Sequence, residues 1–365
     1  MTDRIFITRA TGFVGGKMLP YLTENPTTEI YALVRARSDQ HLQKRKKRLL
    51  AANGLEAEAA RIHVLRGDIT KPNFGLSERE EEELLERVNA VIHSAASVKF
   101  NLNRQEASSQ NVTGSQAAVD FAWKLQERGQ LNRLDYVSTC YVGGDRRGSF
   151  HEHECDEGQG FRNTYEWSKC VAETHLRGEM ERGLRATIHR PSIIVGDSRT
   201  GHATGFTAFY VPVKVYARGW WRTLPGRADT PVDLVPVDYV AGAMARLREQ
   251  ESSLGECFHL AAGRSAISID EVADLLARFL DAKPIRYFNP ELWRRYIHPL
   301  FVPFFSLSRK GRSIRTVIET FLPYFAGNPT FDTTNADLFL DDFRPPSVLE
   351  YFESIMSYAV KQDFQ

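Results

Sequence analysis

Tyr165 and Lys169 are the residues of this chain whose types and spacing most directly indicate chemistry. They stand four apart within residues 164–173, so in a helix both side chains lie on one face, one turn apart. A free tyrosine has a pKa of about 10, and a lysine ammonium beside it favours the phenolate and lowers that pKa. The pair can therefore transfer a proton, but such pairs are also common on solvated helix faces.

Thr139 supplies a third polar group, because it follows a predicted strand at residues 134–138. The carboxyl ends of parallel strands border the crevice where such sheets bind ligands. The Thr139 hydroxyl can therefore donate a hydrogen bond to a carbonyl oxygen. Alone it would be an ordinary strand-end threonine; with Tyr165 and Lys169 downstream it completes a coherent acid–base set.

A glycine-rich turn near the amino terminus indicates a nucleotide site. Residues 4–8 predict a buried strand, a helical pattern runs on through Leu22, and between them stands Thr8-Arg9-Ala10-Thr11-Gly12-Phe13-Val14-Gly15-Gly16. A strand, a glycine-rich turn and a helix start direct backbone N–H groups at a pyrophosphate. The usual pattern is Gly-x-x-Gly-x-x-Gly, and Arg9 replaces the first glycine. Arg9 can strain the turn, crowd a cofactor, or swing outward and add a cation near the phosphates; the sequence leaves these alternatives open.

The second predicted strand, residues 29–35, ends in Arg35. An acidic residue at this point suits NAD, whereas an arginine suits the 2′-phosphate of NADP. A basic cluster at residues 44–48 follows on a predicted helix. It forms a solvated helix face, contributes Arg45 or Arg48 to the phosphate site, or contacts nucleic acid, an alternative that the nearly neutral chain disfavours.

Further strands are predicted at residues 62–65 and 90–93 and within residues 186–194. Asp68 follows the first of these and can accept a hydrogen bond from an adenine amino group. Ala95 and Ala96 follow the second, where small residues let the chain pass close to a cofactor. Strands that alternate with helical patterns predict an α/β fold with a Rossmann-type, doubly wound parallel sheet.

The composition is that of a soluble globular protein. The 365 residues are 42% hydrophobic and 25% charged, with a net charge of +1, which argues against a nucleic-acid partner. The four cysteines lack paired spacing and predict reduced thiols in a cytoplasmic protein. The amino terminus lacks a signal-peptide pattern, and no run of about 18 apolar residues predicts a membrane span.

Two other segments of the sequence allow more than one interpretation. Residues 151–156 read His-Glu-His-Glu-Cys-Asp, which resembles a metal site by residue type, but a short acidic loop without a second ligand cluster favours a solvated loop; we expect no metal. Residues 293–325 are rich in aromatics and prolines with interleaved basic residues. They can line an apolar channel, touch a membrane surface as a peripheral contact, or form an ordinary lobe core.

The change in character from Thr200 predicts two units. The expected NADP-binding core comprises residues 1–197, completed by about 231–262. A smaller, mostly helical substrate lobe then comprises residues 198–230, where Phe206, Phe209, Tyr210, Trp220 and Trp221 cluster, and residues 263–365.

By these motifs the chain resembles the extended short-chain dehydrogenases, and within them the thioester reductase and fatty acyl-CoA reductase branch. That branch includes the terminal reductase domains of carboxylic acid reductases and of peptide and polyketide synthetases. The matching stretches are residues 11–15, 33–36, 67–68, 75–77, 93–100, 111–114, 137–139, 165–169, 190–198, 200–201 and 235–240. The likeness covers residues 1 to about 262 and is faint beyond.

The resemblance implies reduction of an acyl thioester, bound to CoA or to an acyl or peptidyl carrier protein, to an aldehyde or onward to an alcohol. NADPH would be the cofactor, with Thr139, Tyr165 and Lys169 catalytic. The implied cofactor-binding residues are Thr8, Thr11, Gly12, Phe13, Val14, Gly15, Arg35, Asp68, Ile69, Ala95, Ala96, Tyr165, Lys169, Pro191, Ser192 and Ile193. Two alternatives stay open: another carbonyl–alcohol couple, such as a sterol, a ketone or a sugar nucleotide, and a non-enzymatic homologue whose cofactor site Arg9 impairs. The sequence does not indicate an oligomeric state.

Overall fold

The structure is a computed structural model that describes residues 3–219, 223–297, 299 and 309–364. Trp220, Trp221 and residues 298, 300–308 of the predicted lobe lie outside this range. The strands are β1 Arg4–Thr8, β2 Glu29–Val34, β3 Ile62–Arg66, β4 Ala90–His93, β5 Arg133–Val137, β6 Ser149–Phe150, β7 Ala186–Pro191, β8 Ile193–Val195, β9 Thr223–Pro225, β10 Pro231–Val232, β11 Leu234–Pro236, β12 Cys257–Leu260, β13 Ile267–Ser268, β14 Arg286–Phe288 and β15 Thr330–Phe331.

The helices alternate with these strands through the first two thirds of the chain. Their bounds are α1 Phe13–Thr23, α2 Asp39–Asn53, α3 Glu78–Arg87, α4 Arg104–Ala107, α5 Gly114–Glu127, α6 Thr164–Glu181, α7 Tyr210–Ala217, α8 Val237–Arg248, α9 Ile269–Phe279, α10 Pro290–Leu292, α11 Arg309–Ala326, α12 Thr334–Leu340 and α13 Val348–Lys361. A π-helical stretch, Ser108–Thr113, joins α4 to α5.

Seven parallel strands form the central sheet in the order β12-β7-β5-β4-β1-β2-β3. Their residues are mostly buried, as expected for strands with helices on both faces. One face packs against apolar residues of α1, α2 and α8, and the other against α3, α5 and α6. The chain reverses its direction of strand addition between β1 and β4, which confirms the predicted doubly wound sheet and places a ligand crevice at that point.

Residues 186–194, which include one predicted strand, hold that strand as β7 and the start of a second strand, β8. The strand β7 ends at Pro191, which has no N–H to continue a ladder. The next strand, β8, leaves the central sheet and pairs with β11, Ile193 opposite Leu234. The seventh strand, β12, lies beside β7 at the edge; the sequence indicated only a return of the chain to the core there.

Helix α6 begins at Thr164, so that Tyr165 and Lys169 both lie in its first two turns. The Asn163 side chain accepts a hydrogen bond from the Glu166 N–H at 3.0 Å, which satisfies a free donor of the first turn. Tyr165 therefore lies in the first turn and Lys169 one turn later, both directed at the carboxyl ends of the sheet strands. Asn111, Val112 and Gly114 lie at the π-helical stretch and the start of α5.

A second apolar cluster forms a smaller, mostly helical lobe. It joins buried residues of α7, α9 and α13, among them Tyr210, Leu276 and Ile355, to Val195 of β8. Within the described part of the chain, no helix combines the length and the apolar character needed to cross a membrane. The assignment of this lobe to substrate and the cytoplasmic location stay predictions.

Candidate active site

A cleft of about 520 Å³ lies along the carboxyl ends of the central strands. The glycine-rich turn forms one wall, the start of α6 and the end of β5 form the floor, and the helical lobe closes the opposite side. Twelve of the predicted site residues line it: Thr11, Gly12, Phe13, Val14, Gly15, Ala96, Thr139, Tyr165, Lys169, Pro191, Ser192 and Ile193.

The glycine-rich turn has the close approaches that a phosphate site needs. The Gly12 N–H donates to the Arg9 carbonyl at 2.8 Å. A methyl group on Gly15 would lie 2.6 Å from the Arg9 carbonyl oxygen and 2.8 Å from Ser94 Oγ, so only glycine allows α1 to start this close to β1. The first turn of α1 carries no acidic residue. The wall therefore presents the positive end of a helix to the cleft and fits the phosphates of a dinucleotide.

Arg9 lies on the wall of the cleft, with its side chain folded across the glycine-rich turn. Its φ is 55°, in the left-handed region that favours glycine. A methyl group on Gly12 would lie 2.8 Å from Arg9 Cγ, so the side chain folds across the turn. The residue is exposed to solvent in the cleft yet surrounded by protein, and burial lowers the pKa of its guanidinium despite the opposing effect of Tyr165.

Two arginines meet at the end of β2. Arg35 Nη2 pairs with Asp68 Oδ1 at 2.8 Å. Arg45 donates through Nη2 to Thr11 Oγ1 at 2.7 Å and through Nη1 to the Arg35 carbonyl oxygen at 2.5 Å. Of the alternatives for the basic cluster, Arg45 thus reaches the glycine-rich turn and lines the cleft.

Five predicted cofactor residues, Thr8, Arg35, Asp68, Ile69 and Ala95, do not line this cavity. Thr8 and Ala95 are buried, and the Ala95 N–H donates to Thr8 Oγ1 at 3.3 Å; they brace the strand ends beneath the turn. Ile69 packs against Gly114, and Asp68 is occupied by Arg35 and by Thr70 at 2.8 Å.

Thr139, Tyr165 and Lys169 converge on the cleft floor. Thr139 Oγ1 donates to the Pro191 carbonyl at 3.4 Å and accepts from the Tyr141 N–H at 3.3 Å, and a side-chain interaction with Thr139 lowers the pKa of Tyr165. Lys169 Nζ donates to the Val137 carbonyl at 2.8 Å and to Tyr136 Oη at 2.9 Å. The three groups from separate stretches thus line one cavity beside the glycine-rich turn.

The sequence predicted that Lys169 lowers the pKa of Tyr165, and this prediction is wrong for this structure. Burial raises the pKa of Tyr165 to about 12, while the hydrogen bond with Thr139 and the charge of Arg9 act in the opposite direction. The Lys169 ammonium is directed to Tyr136 and Val137, and burial lowers its own pKa to about 7 against the opposing effect of Glu173. Arg9 is therefore the cation that lowers the pKa of Tyr165.

A buried ion pair stabilises the cleft floor, and the sequence analysis did not identify it. Glu173 and Arg190 are fully buried and pair through Glu173 Oε1 and Arg190 Nη2 at 2.5 Å. Glu173 Oε2 also accepts from Ser138 Oγ at 2.5 Å, directly before Thr139. Despite its burial, Arg190 and Arg177 lower the pKa of Glu173 to about 2. A usable signal was the spacing, since Glu173 stands four residues after Lys169 on α6.

Asn111 is a second group whose position the sequence did not reveal. Its Nδ2 donates to Ser168 Oγ at 2.9 Å and its Oδ1 accepts from the Ser97 N–H at 2.7 Å. The side chain thus ties the loop after β4 to α6 between Tyr165 and Lys169. Asn111 lies in the π-helical stretch, a feature frequent at functional sites, which no short motif predicts.

The lobe contributes an aromatic wall. Phe100 lies 5.8 Å from Tyr165 and 5.9 Å from Phe321 between ring centroids. Tyr324 Oη donates to Glu166 Oε1 at 2.6 Å and accepts from Asn163 Nδ2 at 2.6 Å. Within residues 293–325, Phe321, Tyr324 and Phe325 line the cleft, which supports the first of the alternatives for this part of the segment.

The acidic loop at residues 151–156 is only partly solvated. Glu152 is buried, and its carboxylate accepts from the backbone N–H groups of His259 and Asn335 at 2.8 and 2.6 Å, while His151 and His153 stack with 5.6 Å between centroids. No group of three or more candidate metal ligands occurs among the described residues. The four cysteines are free and buried.

The sequence profile of a family described as male sterility protein matches residues 7–244. A Drosophila melanogaster protein named as a fatty acyl-CoA reductase is 30% identical over 284 residues, 65% of this chain and 50% of that protein. The large subunit of L-2-aminoadipate reductase from Penicillium chrysogenum is 33% identical over 257 residues, 65% of this chain and 18% of that protein. The chain thus spans half or less of the length of these relatives.

Solved structures extend the likeness over the whole chain. The terminal R domain from the myxalamid PKS-NRPS biosynthetic pathway superposes with a TM-score of 0.82 at 28% identity, covering 100% of this chain and 92% of that one. The reductase domain of a nonribosomal peptide synthetase from Mycobacterium tuberculosis has a TM-score of 0.72 at 22% identity, with coverage of 100% and 92%. The second likeness concerns the fold alone.

Proposed function

The chain belongs to the male sterility protein family, whose members are NAD(P)-binding oxidoreductases of the extended short-chain dehydrogenase type, and we propose that it reduces an acyl thioester to an aldehyde with NADPH. One observation carries the proposal: Thr139, Tyr165 and Lys169 line one cavity with the glycine-rich turn. A donor pair, a cation and a phosphate-binding wall are the parts that hydride reduction of a carbonyl requires.

The preference for NADPH rests on the end of β2. Arg35 replaces the acidic residue that suits NAD, and Arg45 reaches the same place through Thr11. Two guanidinium groups suit a 2′-phosphate, which accepts several charge-assisted hydrogen bonds. We assign Gly12, Phe13, Val14 and Gly15 to the pyrophosphate, and the remaining predicted residues of the strand ends to the rest of the dinucleotide.

The cofactor supplies a hydride for the thioester carbonyl, and the chain's own groups manage the charge that results. Negative charge develops on the carbonyl oxygen, where the Thr139 and Tyr165 hydroxyls act as donors; one such donor is commonly worth about 3–4 kcal/mol. Tyr165 gives its proton to that oxygen, and Lys169 holds the nicotinamide ribose. The hemithioacetal loses its thiol, so one thioester, one NADPH and one proton yield one aldehyde, one thiol and one NADP⁺.

The raised pKa of Tyr165 supports the acid role. At neutral pH the phenol is protonated, as a proton donor must be before it acts. Lys169, with a pKa of about 7, is close to losing its charge in the protein alone. We propose that a bound nicotinamide ribose gives its ammonium acceptors and keeps it charged.

We propose that the lobe, residues 198–230 and 263–365, binds the acyl chain, and that the core binds the cofactor. The wall facing Tyr165 is aromatic and apolar, including Phe100, Phe209 and Phe321, so it suits a hydrocarbon chain. CoA and a carrier protein both present such a thioester, and the proteins similar to this chain include a named fatty acyl-CoA reductase and the terminal R domain of a PKS-NRPS pathway.

The test is an NADPH oxidation assay with acyl-CoA substrates of increasing chain length, and with a matched ketone and a sterol as competing carbonyl substrates. We expect turnover with acyl-CoA, aldehyde and free thiol in equal amounts, and little turnover of the ketone or sterol. Tyr165→Phe should abolish turnover, while Tyr296→Phe, an exposed tyrosine outside the cleft, should not change it. Turnover of the ketone or sterol with silence towards thioesters would contradict the proposal.

A further inference from the structure

Arg9 is held in a backbone conformation that residues with a side chain rarely adopt. Its φ of 55° lies in the left-handed region, where glycine has no steric cost. The usual glycine-rich pattern places glycine at this position. Strained residues of this kind cluster where a ligand is bound, so the arginine side chain must be weighed as a functional group.

The side chain lies over the turn that faces the cleft. A methyl group on Gly12 would be 2.8 Å from Arg9 Cγ and 3.0 Å from Arg9 Nε. The guanidinium therefore follows the surface of the turn at the start of α1. It lies on the cleft wall that also includes Thr11 and Gly15.

This guanidinium has no anionic partner among the residues that the structure describes. Of the ion pairs formed there, Arg35 pairs with Asp68 and Lys17 with Asp197 at 2.5 Å, but none involves Arg9. Partial burial lowers the pKa of this guanidinium, Tyr165, if ionised, raises it, and the cation of Arg35 lowers it. A solvent-exposed arginine that lies over a helix start without acidic residues has five donors for an anion.

We infer that Arg9 binds the pyrophosphate of the dinucleotide cofactor, an inference that rests on the proposed function. The location separates its role from that of Arg45, which contacts Thr11 and the end of β2. In this division Arg9 contacts the phosphates shared by NADPH and NADH. Arg45 and Arg35 contact the 2′-phosphate that only NADPH carries.

The experiment is calorimetric titration of the whole protein with NADPH and with NADH, for wild type, Arg9→Gln, Arg9→Gly and Arg45→Gln. Glutamine keeps the strained backbone and removes the charge, whereas glycine removes both. Loss of a charge-assisted hydrogen bond corresponds to about a 10- to 100-fold rise in Kd. We expect both Arg9 variants to weaken NADPH and NADH by the same factor, and Arg45→Gln to weaken NADPH selectively.

Melting without nucleotide shows whether each variant is folded. Arg9→Gly should melt above wild type and Arg9→Gln close to it, so a loss of affinity in a protein of unchanged or higher stability supports the inference. Equal or tighter binding by Arg9→Gly would overturn it, because Arg9 would then be a bystander or an obstacle. A loss confined to NADPH would also overturn it, and wild type that binds neither nucleotide would remove the proposed function together with it.

Discussion

The glycine-turn wall and the floor of the cleft differ in whether their charged side chains are exposed or buried and whether they are paired. On the wall, the Arg9 guanidinium faces cleft solvent without an anionic partner among the described residues. On the floor, Glu173 and Arg190 are both 0% exposed and paired. The wall therefore has charge available for an anionic ligand, whereas the floor is already neutralised and fixes Ser138, Thr139 and α6. Cofactor affinity should depend on the wall, and stability on the floor.

The largest effect should come from breaking the floor pair. Glu173→Gln leaves Arg190 buried without its carboxylate, and removing one partner of a buried pair costs about 3–5 kcal/mol. Denaturant unfolding measures the loss. The matched control is Glu83→Gln, which removes the exposed pair with Arg79 and should leave the midpoint unchanged. Equal midpoints for both variants would show that the floor pair does not stabilise the protein.

The second-largest effect should come from removing the Thr139 hydroxyl, a hydrogen-bond donor that the cleft floor positions. Thr139→Val keeps the side-chain shape but removes the hydroxyl, and loss of one oxyanion donor costs about 10²–10³ in kcat. NADPH affinity should be unchanged, since Thr139 lies on the floor and not on the phosphate wall. Steady-state kinetics and a binding titration separate the two quantities. A variant that weakened NADPH binding while its kcat held would reverse the assignment of roles.

Lys169 should make the free energy of unfolding depend on pH. In the folded protein its pKa is lowered from 10.5 to about 7, so between these values the unfolded chain binds more protons than the native one. The contribution of Lys169 to the free energy of unfolding therefore rises with pH, by at most about 1.4 kcal/mol per unit. The difference between wild type and Lys169→Met at pH 7, 8 and 9 measures it. A difference independent of pH would contradict the buried, weakly basic amine.

Tyr324 lies on the third side of the cleft, which the helical lobe forms. Tyr324→Phe removes the donor to Glu166 and the acceptor for Asn163. A buried acceptor left without its donor costs about 1–3 kcal/mol. We expect a lower melting temperature and a higher KM for long acyl chains. An unchanged KM together with a lower melting temperature would limit Tyr324 to a structural role.

The smallest effect should come from replacing Arg9 on the glycine-turn wall. This change should raise the stability of the protein, whereas the changes on the floor lower it. Arg9→Gly relieves a left-handed residue, which is worth about 1–2 kcal/mol at most, so this variant should be more stable than wild type in the absence of nucleotide. Thermal melting measures the gain. A loss of stability would mean that Arg9 holds the turn together, and the contrast between wall and floor would fail.

The sequence predicted the wall better than the floor. The glycine-rich turn, the doubly wound sheet and the approach of Thr139 to Tyr165 follow from local motifs, because a motif states where backbone and side chain must point. The direction of Lys169 Nζ towards Tyr136, and the pair of Glu173 with Arg190, depend on the packing of α6 against β5 and β7. The break between β7 and β8 follows from Pro191, yet its new partner, β11, is set by tertiary structure. The three alternatives for Arg9 depended on its backbone conformation and on the direction of its side chain, which spacing cannot give.

The most direct measurement is the transfer of a label from cofactor to product. NADPH carrying two deuterium atoms at nicotinamide C4 is incubated with the protein and an acyl-CoA, and the aldehyde is analysed by mass spectrometry. We predict one deuterium in each aldehyde, at the former thioester carbon, with one free thiol released. Aldehyde without deuterium, or consumption of NADPH without aldehyde or alcohol, would contradict the proposed reduction.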